Sequence, residues 1–565
     1  MPGIDALRAL AVLAVFFYHT GAGWMPGGFL GVDVFLVISG YLITALLLSE
    51  VRSTGHLNVG RFWLRRARRL LPAVGVMIAV TLLVAALLVP EDIADLRGDA
   101  LASLGYVNNW HLILSDQTYF EQFERPSLFL HLWSLSVEEQ FYLLWPLLFA
   151  AGMALFGRRR LLLGVLAGAL ASTLLMILLF DPGHDPLRVF YGTDTRAVGL
   201  LIGVALALVW HPNDLRRSAG PGAGWILDAV GVLALAFILW DFLGIHDFDP
   251  GLYRGGFLLL AIGTGLLLAV LAHPAARLGA ILGNAPMLWL GLRSYSFYLW
   301  HWPVLALTRP GIDVDLWNPL LVALQLAATL VLADLSYRYV EQPFRQKRDA
   351  PAAPPWLPIG RPALAAGVVA IVLFIGWSGV VSGGGAGRGA ELAEAAEEGE
   401  TTEATGRVPE VLAIGDSVMV GAAGTLERRL GPGAVVDASE GRQPMDYPEV
   451  VDTYRQAGKL PDAVVVQIGN NGPVFSEDME RLREALAGVP SVYLVNVEVP
   501  RSWEGEVNEQ LAEAVGEWPE ATLLDWYGIA AGDSDLTYDG VHLTPEGQRE
   551  YGDLIAGAVS SAGEG

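Results

Sequence analysis

The sequence predicts a polytopic α-helical membrane domain, with ten helices plus an eleventh linking helix, followed by an α/β domain with a parallel sheet. Of its 565 residues 53% are hydrophobic, and the mean hydropathy of +0.44 is too high for an ordinary soluble protein. From residue 391 onward, however, 34 acidic residues stand against 10 basic ones, whereas the first 390 residues are nearly neutral. Two chemically different regions are therefore joined in one chain.

Eleven apolar stretches are long enough to span a bilayer, which takes roughly 20 helical residues. Lys and Arg clusters follow the even-numbered stretches, and basic residues in short loops favour the cytoplasmic side. One topology satisfies every cluster: the N-terminus is cytoplasmic, and everything after about residue 382 is extracytoplasmic. The stretches lie around residues 5–20, 30–50, 72–90, 136–156, 161–180, 195–210, 225–244, 255–272, 287–307, 318–340 and 361–381; the clusters lie at 65–69, 158–160, 216–217, 277 and 345–348.

Composition sets the expected domain limits of this multi-pass protein of the cytoplasmic membrane. Residues 1–350 form the membrane domain, and 351–381 contain a Pro-rich break and the eleventh helix. Residues 382–407 carry Gly runs and Glu/Ala repeats without an aromatic residue, which predicts a flexible tether. Residues 408–565 form the extracytoplasmic domain. The first apolar stretch lacks a lysine-rich start, so we expect a retained helix.

The chain contains no cysteine, which excludes disulfides, thiolate nucleophiles and cysteine-ligated zinc. The acidic soluble region argues against nucleic acid as a partner, because phosphate binding needs a basic face. We therefore expect no metal cofactor and no nucleic-acid partner. The apolar stretches make the lipid bilayer the expected surrounding medium.

Beyond the tether, buried strands alternate with helix-like stretches. VLAI (411–414), AVVVQIG (463–469), VYLVNVEV (492–499) and ATLLDW (521–526) are typical of buried strands, and TLERRL and DMERLREALAG of helices. This alternation predicts a parallel α/β sheet covered on both faces.

Ser417 follows the first of these strands directly and precedes a helix, so we expect it on a sharp turn at the carboxyl end of the sheet. His542 is the only histidine in residues 382–565 and the only candidate for its base. Asp539, three residues earlier, is placed to orient the imidazole, and Thr544 and Pro545 mark the start of the next helix. Taken singly, GDS is a common turn and Asp-x-x-His a common capping loop.

Together, GDSV, Gly441 in EGRQ, Gly469-Asn470-Asn471 and DGVHL resemble the SGNH/GDSL hydrolase family over residues 408–560. The resemblance implies an SGNH-hydrolase-like fold with Ser417, Gly441 and Asn471 as oxyanion donors. It also implies a catalytic triad of Ser417, His542 and Asp539. Val418 and Met419 depart from the GDSL wording and are similar to the O-acetyltransferase branch, which includes peptidoglycan and O-antigen O-acetyltransferases.

Arg8 and His19 are eleven residues apart, which places both on one face of the first helix, about 16 Å apart along its axis. A cation near the cytoplasmic mouth and an imidazole deeper in the bilayer suit a long, phosphate-bearing donor. The alternative is a histidine satisfied by a neighbouring helix. The arginines at 65–69 either bind phosphates or anchor the chain at the membrane surface.

A second resemblance covers residues 1–350 and is to the acyltransferase 3 family. It is carried by Arg8 with His19, GGFLGVDVFLVISGYLIT (27–44), RFWLRRARRLLP (61–72), HLWSLSVEEQFYLLWP (131–146), DTRAVGLLIG (194–203), SYSFYLWHWPV (294–304) and YRYVEQPFR (337–345). The resemblance implies a ten-helix body that takes an acyl group, usually acetyl, from cytoplasmic acyl-CoA. His19 would be the catalytic base. Donor-binding positions would be Arg8, Arg65, Arg66, Arg68 and Arg69, and Trp133, Ser136 and Glu138 belong to a further motif. Which two of the four clustered arginines match the family's pair stays open.

The sequence thus predicts a membrane O-acyltransferase that moves an acyl group, expected to be acetyl, from acyl-CoA (acetyl-CoA) to hydroxyls of a cell-surface or cell-wall glycan. Ser417 would accept the acyl group on the outer side. Two alternatives stay open. One is a membrane-tethered carbohydrate esterase, since hydrolysis and transfer use the same triad. The other is an exporter of an acylated glycan.

Overall fold

The computed structural model describes residues 1–21, 23–93, 96–115, 126–181, 186–211, 215, 223–247, 249–310, 313–314, 316–345, 410–439, 441–499, 501, 503–531, 536–537 and 541–562. These residues divide between two compact units, a helical one and an α/β one. The predicted eleventh helix (361–381) and the predicted tether (382–407) lie outside the described residues.

The helical unit is built from long helices joined by short segments. Eight described helical segments are long and apolar enough to cross a membrane. Two further helices, α6 and α13, coincide with predicted spans but carry charged side chains such as Glu138 and Arg293. The helices are α1 (Pro2–His19), α2 (Gly31–Thr54), α3 (Val59–Leu88), α4 (Leu96–Leu104), α5 (Asn108–Leu114), α6 (Leu132–Leu155), α7 (Gly157–Leu179), α8 (Leu187–Tyr191), α9 (Thr193–Val209), α10 (Ala223–Gly244), α11 (Phe257–Ala272), α12 (Leu278–Leu282), α13 (Ala285–Ala306), α14 (Asn318–Ser336) and α15 (Gln342–Arg345).

Small residues bring α2 and α9 into backbone contact. A β-carbon at Gly40 would collide with the carbonyl of Leu200, and one at Gly203 with the carbonyl of Val37. This close packing surrounds a buried ion pair, in which an Arg196 guanidinium nitrogen lies 2.9 Å from a carboxylate oxygen of Asp33. The interior of the helical unit therefore contains charged side chains where they are paired with each other.

The outer surface of the helical unit is apolar. Large side chains such as Leu87, Leu178 and Trp240 are at least 74% exposed. Only 28% of the apolar stretch is buried in α7 and in α10. Exposed leucine and tryptophan at this density suit contact with lipid chains rather than water.

The α/β unit contains a five-stranded sheet in which every pair is parallel, with the order β2-β1-β3-β4-β5. The parallel α/β prediction is confirmed, although β2 was not predicted. The strands are β1 (Val411–Gly415), β2 (Ala434–Ala438), β3 (Ala463–Gln467), β4 (Ser491–Val495) and β5 (Ala521–Leu524); the helices are α16 (Ser417–Leu430), α17 (Tyr447–Gln456), α18 (Ser476–Ala485), α19 (Glu504–Glu517), α20 (Trp526–Ala530) and α21 (Pro545–Ala562).

The central strands β1 and β3 form the core of this unit. All five residues of β1 are buried, and Val464, Val465 and Val466 of β3 are fully inaccessible. Because both faces are covered, polar chemistry is left to the strand ends. The loops after β1, β2 and β3 leave the sheet at the same edge, since adjacent parallel strands end on the same side.

Candidate active sites in the two units

Ser417 lies at the carboxyl end of β1, where the sequence places it. The strand ends at Gly415 and α16 begins at Ser417, so Asp416 alone makes the turn. The Asp416 carboxylate accepts the Val418 backbone N–H at 3.1 Å and caps the helix. The Ser417 hydroxyl is thus presented at a helix N-terminus, beside backbone N–H groups that favour negative charge.

His542 approaches this hydroxyl from the segment before α21. Its Nε2 lies 3.2 Å from Ser417 Oγ, within reach for a base and a nucleophile. The helix after it begins at Pro545, as predicted, and Thr544 Oγ1 accepts the Gly547 N–H at 3.1 Å. Asp539, the predicted orienting residue, lies outside the described residues.

The turn before Ser417 is stabilised by the side-chain amide of Asn470, a residue to which the sequence assigned no role. Asn470 Nδ2 donates to both carboxylate oxygens of Asp416, at 3.1 and 3.0 Å. Burial of the Asp416 carboxyl raises its pKa to about 6, although the Asn470 hydrogen bond opposes the shift. The doubled asparagine after β3 was the available signal, but only one of the two was assigned a role.

Gly441 and Asn471, the predicted oxyanion donors, follow β2 and β3, the two strands that flank β1. Gly441 has φ +70°, a conformation that glycine adopts readily. Asn471 Nδ2 donates to the Arg442 carbonyl at 3.2 Å, and its buried Oδ1 has no partner among the described residues. Arg442 in turn donates to the Gly415 carbonyl at 2.9 Å, so the loop after β2 is tied to the end of β1.

In the helical unit, Arg8 lines a cavity between α1, α2, α3, α6 and α13. Two clustered arginines, Arg66 and Arg69, share this cavity with Glu138 and Glu139. Two polar atoms that line it, Arg69 Nε and Ser294 Oγ, are buried without a hydrogen-bond partner in the described structure. Other lining residues include Ser39, Ser134, Tyr142, Tyr295 and Tyr298.

The geometry separates the four clustered arginines into two pairs. Arg66 stacks on the Tyr142 ring at 4.8 Å, and Arg69 lies one helical turn further on, so both enter the cavity. Arg65 instead forms an ion pair with Glu50 at 2.8 Å, and Arg68 is exposed. The cavity thus takes the pair at positions 66 and 69.

Of the motif residues Trp133, Ser136 and Glu138, one lines the cavity and two do not. Glu138 lines the cavity and accepts hydrogen bonds from Ser39 at 2.8 Å and Tyr142 at 2.9 Å. Trp133 lies under the Arg196 guanidinium, 5.4 Å from its ring centroid. Ser136 Oγ accepts the Asn108 N–H at 3.2 Å. Trp133 and Ser136 therefore support helix packing, and Glu138 faces the cavity.

His19 lies at the end of α1, beside His301 and His131. The sequence did not predict that these three histidines lie together. Its Nδ1 is 3.0 Å from Nε2 of His301, and the two rings are stacked at 5.1 Å. His131 meets the ring of His301 edge-on at 5.5 Å. Both additional histidines occur in the quoted motif strings, but their spacing along the chain gave no signal of contact. Within the described ranges, no three His, Cys, Asp or Glu side chains are arranged to hold a metal ion.

Comparison with known proteins identifies a family and near full-length relatives. The acyltransferase domain family matches residues 1–338. The chain is 36% identical to peptidoglycan O-acetyltransferase OatA of Listeria monocytogenes, across 99% of this chain and 98% of that protein. It is 34% identical to the putative peptidoglycan O-acetyltransferase YrhL of Bacillus subtilis, with the same coverage, and 36% identical to O-acetyltransferase OatA of Staphylococcus aureus, with 98% and 95% covered.

Among solved structures, the C-terminal catalytic domain of Streptococcus pneumoniae peptidoglycan O-acetyltransferase A, with a methylsulfonyl adduct, is 24% identical with a TM-score of 0.26. The match covers 28% of this chain and 96% of that domain. The family match over more than half of the chain, with the near full-length relatives, decides the assignment: the chain is an acyltransferase and belongs to the acyltransferase domain family shared with the OatA proteins.

Proposed function

We propose that the protein is a peptidoglycan O-acetyltransferase that moves an acetyl group from cytoplasmic acetyl-CoA, through the helical unit, to hydroxyls of the cell-wall glycan. The observation that carries the proposal is the 3.2 Å approach of His542 Nε2 to Ser417 Oγ, in the same chain as an acyltransferase body. The names of the near full-length relatives support peptidoglycan as the acceptor.

The donor binds in the arginine-lined cavity of the helical unit. Arg8, Arg66 and Arg69 bring three guanidinium groups to it, against the carboxyl groups of Glu138 and Glu139. The unpartnered Nε of Arg69 and Oγ of Ser294 are free to bond a phosphate oxygen, and the arginine fork suits that oxygen geometrically. The cavity residues thus fit the phosphate-bearing end of CoA, and Arg65 and Arg68 anchor the chain at the membrane surface.

In this proposal the N-terminus is cytoplasmic, as the positive-inside pattern predicts, so the cavity opens towards the cytoplasm and the α/β unit is extracytoplasmic. A cytoplasmic N-terminus puts Arg8 near the inner mouth and His19, further along α1, deeper in the membrane. Both residues lie against α13, since Arg8 shares the cavity with Ser294 and Tyr298, and His19 contacts His301. His19 acts as the base for release of the acyl group from CoA.

On the outer side, transfer proceeds through an acyl-enzyme. His542 Nε2 takes the proton of Ser417 Oγ as that oxygen attacks the arriving acyl group, and gives the proton to the group that leaves the acyl carbon; Asp539 orients the imidazole. The backbone N–H groups of Ser417 and Gly441 and the amide of Asn471 stabilise the oxyanion. His542 then takes the proton of a sugar hydroxyl as its oxygen attacks the ester, and returns that proton to Ser417 Oγ as the bond between this oxygen and the acyl carbon breaks.

The proposal is tested by the ester content of purified cell walls. Cells that produce the parent protein should carry alkali-labile acetate on peptidoglycan, and His19→Ala or Ser417→Ala should abolish it. Full acetylation with either variant would refute the relay.

An esterase working outside the membrane predicts the opposite change in the same measurement. If the α/β unit removes acetyl groups, Ser417→Ala would raise wall acetate instead of abolishing it. Label passing from radiolabelled acetyl-CoA to glycan in sealed vesicles, and lost in His19→Ala, would exclude both an esterase and an exporter.

A further inference from the structure

The imidazole of His301, on the neighbouring helix α13, lies on the Nδ1 side of the His19 ring. We propose that His301 is a positioning residue that fixes the tautomer of His19, so that Nε2 of His19 is the atom that takes a proton during release of the acyl group. The inference rests on the proposed function, because it refines the role of His19 in that step.

The hydrogen bonds determine which nitrogens carry protons. His301 Nδ1 lies 2.6 Å from the backbone carbonyl of Tyr298, and a carbonyl oxygen only accepts. Nδ1 of His301 therefore carries the proton. Two adjacent imidazolium charges would repel in an apolar interior, so both rings are neutral at rest. Nε2 of His301 is then an acceptor, and Nδ1 of His19, 3.0 Å away, donates to it.

This arrangement leaves Nε2 of His19 as a bare acceptor. Among the described residues no hydrogen bond is made to that atom. The His19 ring is partly exposed, whereas His301 is fully buried. His19 can thus reach a substrate and His301 cannot, which makes His301 a support rather than a second base.

His301 is held in place from several sides. Its ring is parallel to that of Phe297, at 6.4 Å and 7°, and the edge of His131 packs against it. His131 is itself fixed, because its Nε2 donates to the Leu299 carbonyl at 3.2 Å and Tyr298 donates to its backbone carbonyl at 2.8 Å. These contacts restrict the ring of His301 to one orientation.

The assignment gives a balanced proton path for acyl release from a thioester to a hydroxyl acceptor. The acceptor proton passes to His19 Nε2 while its oxygen forms a bond to the acyl carbon. The carbon–sulfur bond then breaks, and the thiolate takes the proton from Nε2. In between, His19 carries a positive charge, which the hydrogen bond to His301 and the Tyr298 carbonyl beyond it stabilise.

Two substitutions of equal size separate the hydrogen bond from packing. His301→Gln places an amide oxygen where Nε2 lies and can accept from His19, whereas His301→Met cannot. With full-length protein in proteoliposomes, we measure CoA release from acetyl-CoA with peptidoglycan strands as acceptor. We expect His301→Met to lower kcat on the order of 10²-fold with an unchanged KM, and His301→Gln to restore at least a tenth of the parent rate.

Equal rates for the two variants, a kcat within about threefold of the parent for His301→Met, or an effect on KM alone would each overturn the proposal. If both variants fold less well, the ratio of their rates per folded protein still measures the effect of the hydrogen-bond acceptor at position 301. His211→Leu is the control, since His211 is a similarly buried histidine of the same unit that lies two residues beyond the end of α9, bonded to Ser49 and Arg52. We expect it to keep the parent kcat.

The same preparations separate this inference from the proposed function. If His19→Ala releases CoA at the parent rate, the role of His19 fails, whatever His301 does. If His19→Ala is inactive while His301→Met keeps the parent kcat, only the positioning role of His301 fails. Hydrolysis of p-nitrophenyl acetate reports in each case that the α/β unit of the same chain is folded.

Discussion

The two histidines assigned as bases lie in contrasting surroundings. His542, in the α/β unit, faces the Ser417 hydroxyl at 3.2 Å, at the edge of a sheet. His19, in the helical unit, faces another imidazole at 3.0 Å, among apolar helices. The first has its proposed nucleophile beside it, whereas the hydrogen-bond partner of the second, among the described residues, is another imidazole.

This difference indicates whether the group on which each histidine acts belongs to the protein or to a substrate. A histidine beside a serine is built for a covalent intermediate on the protein itself. A histidine backed by a second imidazole, with its far nitrogen open, is built to act on groups that arrive from elsewhere. This difference supports our proposal that the helical unit releases the acyl group from a donor and that the α/β unit accepts it and passes it on.

The largest expected effect is at the nucleophile. Ser417→Ala should lower both glycan acetylation and hydrolysis of p-nitrophenyl acetate by about 10⁴-fold or more, because no covalent intermediate can form. CoA release by the helical unit should be less affected when water or another hydroxyl can accept the acyl group. Ser476→Ala is the control, since that hydroxyl only contacts Gln510 at the surface. Hydrolysis at the parent rate in Ser417→Ala would remove the serine from the mechanism.

Loss of a proposed oxyanion donor should have a smaller effect, confined to the α/β unit. Asn471→Ala should lower kcat of p-nitrophenyl acetate hydrolysis by about 10²- to 10³-fold with little change in KM. For that role the Asn471 amide must exchange its bond to the Arg442 carbonyl for one to the oxyanion. A purely structural role predicts a loss of folded protein with normal kcat per folded molecule.

The donor cavity should respond in KM rather than kcat. Arg66→Ala and Arg69→Ala should each raise KM for acetyl-CoA on the order of 10- to 100-fold, the worth of one charge-assisted hydrogen bond. Arg68→Ala is the matched control from the same helix, and we expect it to bind acetyl-CoA normally because that side chain is exposed. If Arg68→Ala weakens binding as much as its neighbours do, the cavity is not the donor site.

The last expected effect is on stability, not on catalysis, and belongs to the α/β unit. The pKa of Asp416, raised to about 6 by burial, exceeds the ordinary value of 3.8. The folded state thus binds the proton more tightly, so the stabilisation is present below pH 4 and is lost as pH rises through 6. The loss amounts to about 3 kcal/mol at most.

Hydrogen exchange of the β1 amides in the full-length protein, corrected for intrinsic rates, measures this slope between pH 4 and 7. Asp416→Asn should flatten it. The exposed Asp452→Asn on α17 should leave it unchanged. A slope that persists in Asp416→Asn would assign the pH dependence to another group.

The sequence predicted four of the five strands, including the edge strand β5, and missed the other edge strand, β2. The apolar β1 and β3 are buried on both faces and were predicted as strands. The edge strand β2 is half-buried, contains Asp437 and is preceded by Gly431 and Gly433, so its period was too weak to detect. The long apolar helices were equally plain, because lipid contact demands such composition.

The candidate site residues could be proposed from the sequence only where local spacing carries information. Ser417 and His542 were identifiable because each lies at a marked turn, with no rival histidine in that part of the chain. His301, 282 residues from His19, could not be paired with it without the packing of α1 against α13. The choice of Arg66 and Arg69 over Arg65 and Arg68 likewise depends on which way α3 faces.

The central claim is that one acetyl group passes from the helical unit to Ser417. It is tested most directly by supplying isotope-labelled acetyl-CoA to the full-length protein in sealed vesicles without glycan, followed by mass spectrometry of the peptide that contains Ser417. We predict a labelled acetyl ester on Ser417 in the parent and none in His19→Ala. Label on Ser417 at the parent level in His19→Ala, or glycan labelled by Ser417→Ala once acceptor is added, would contradict the account.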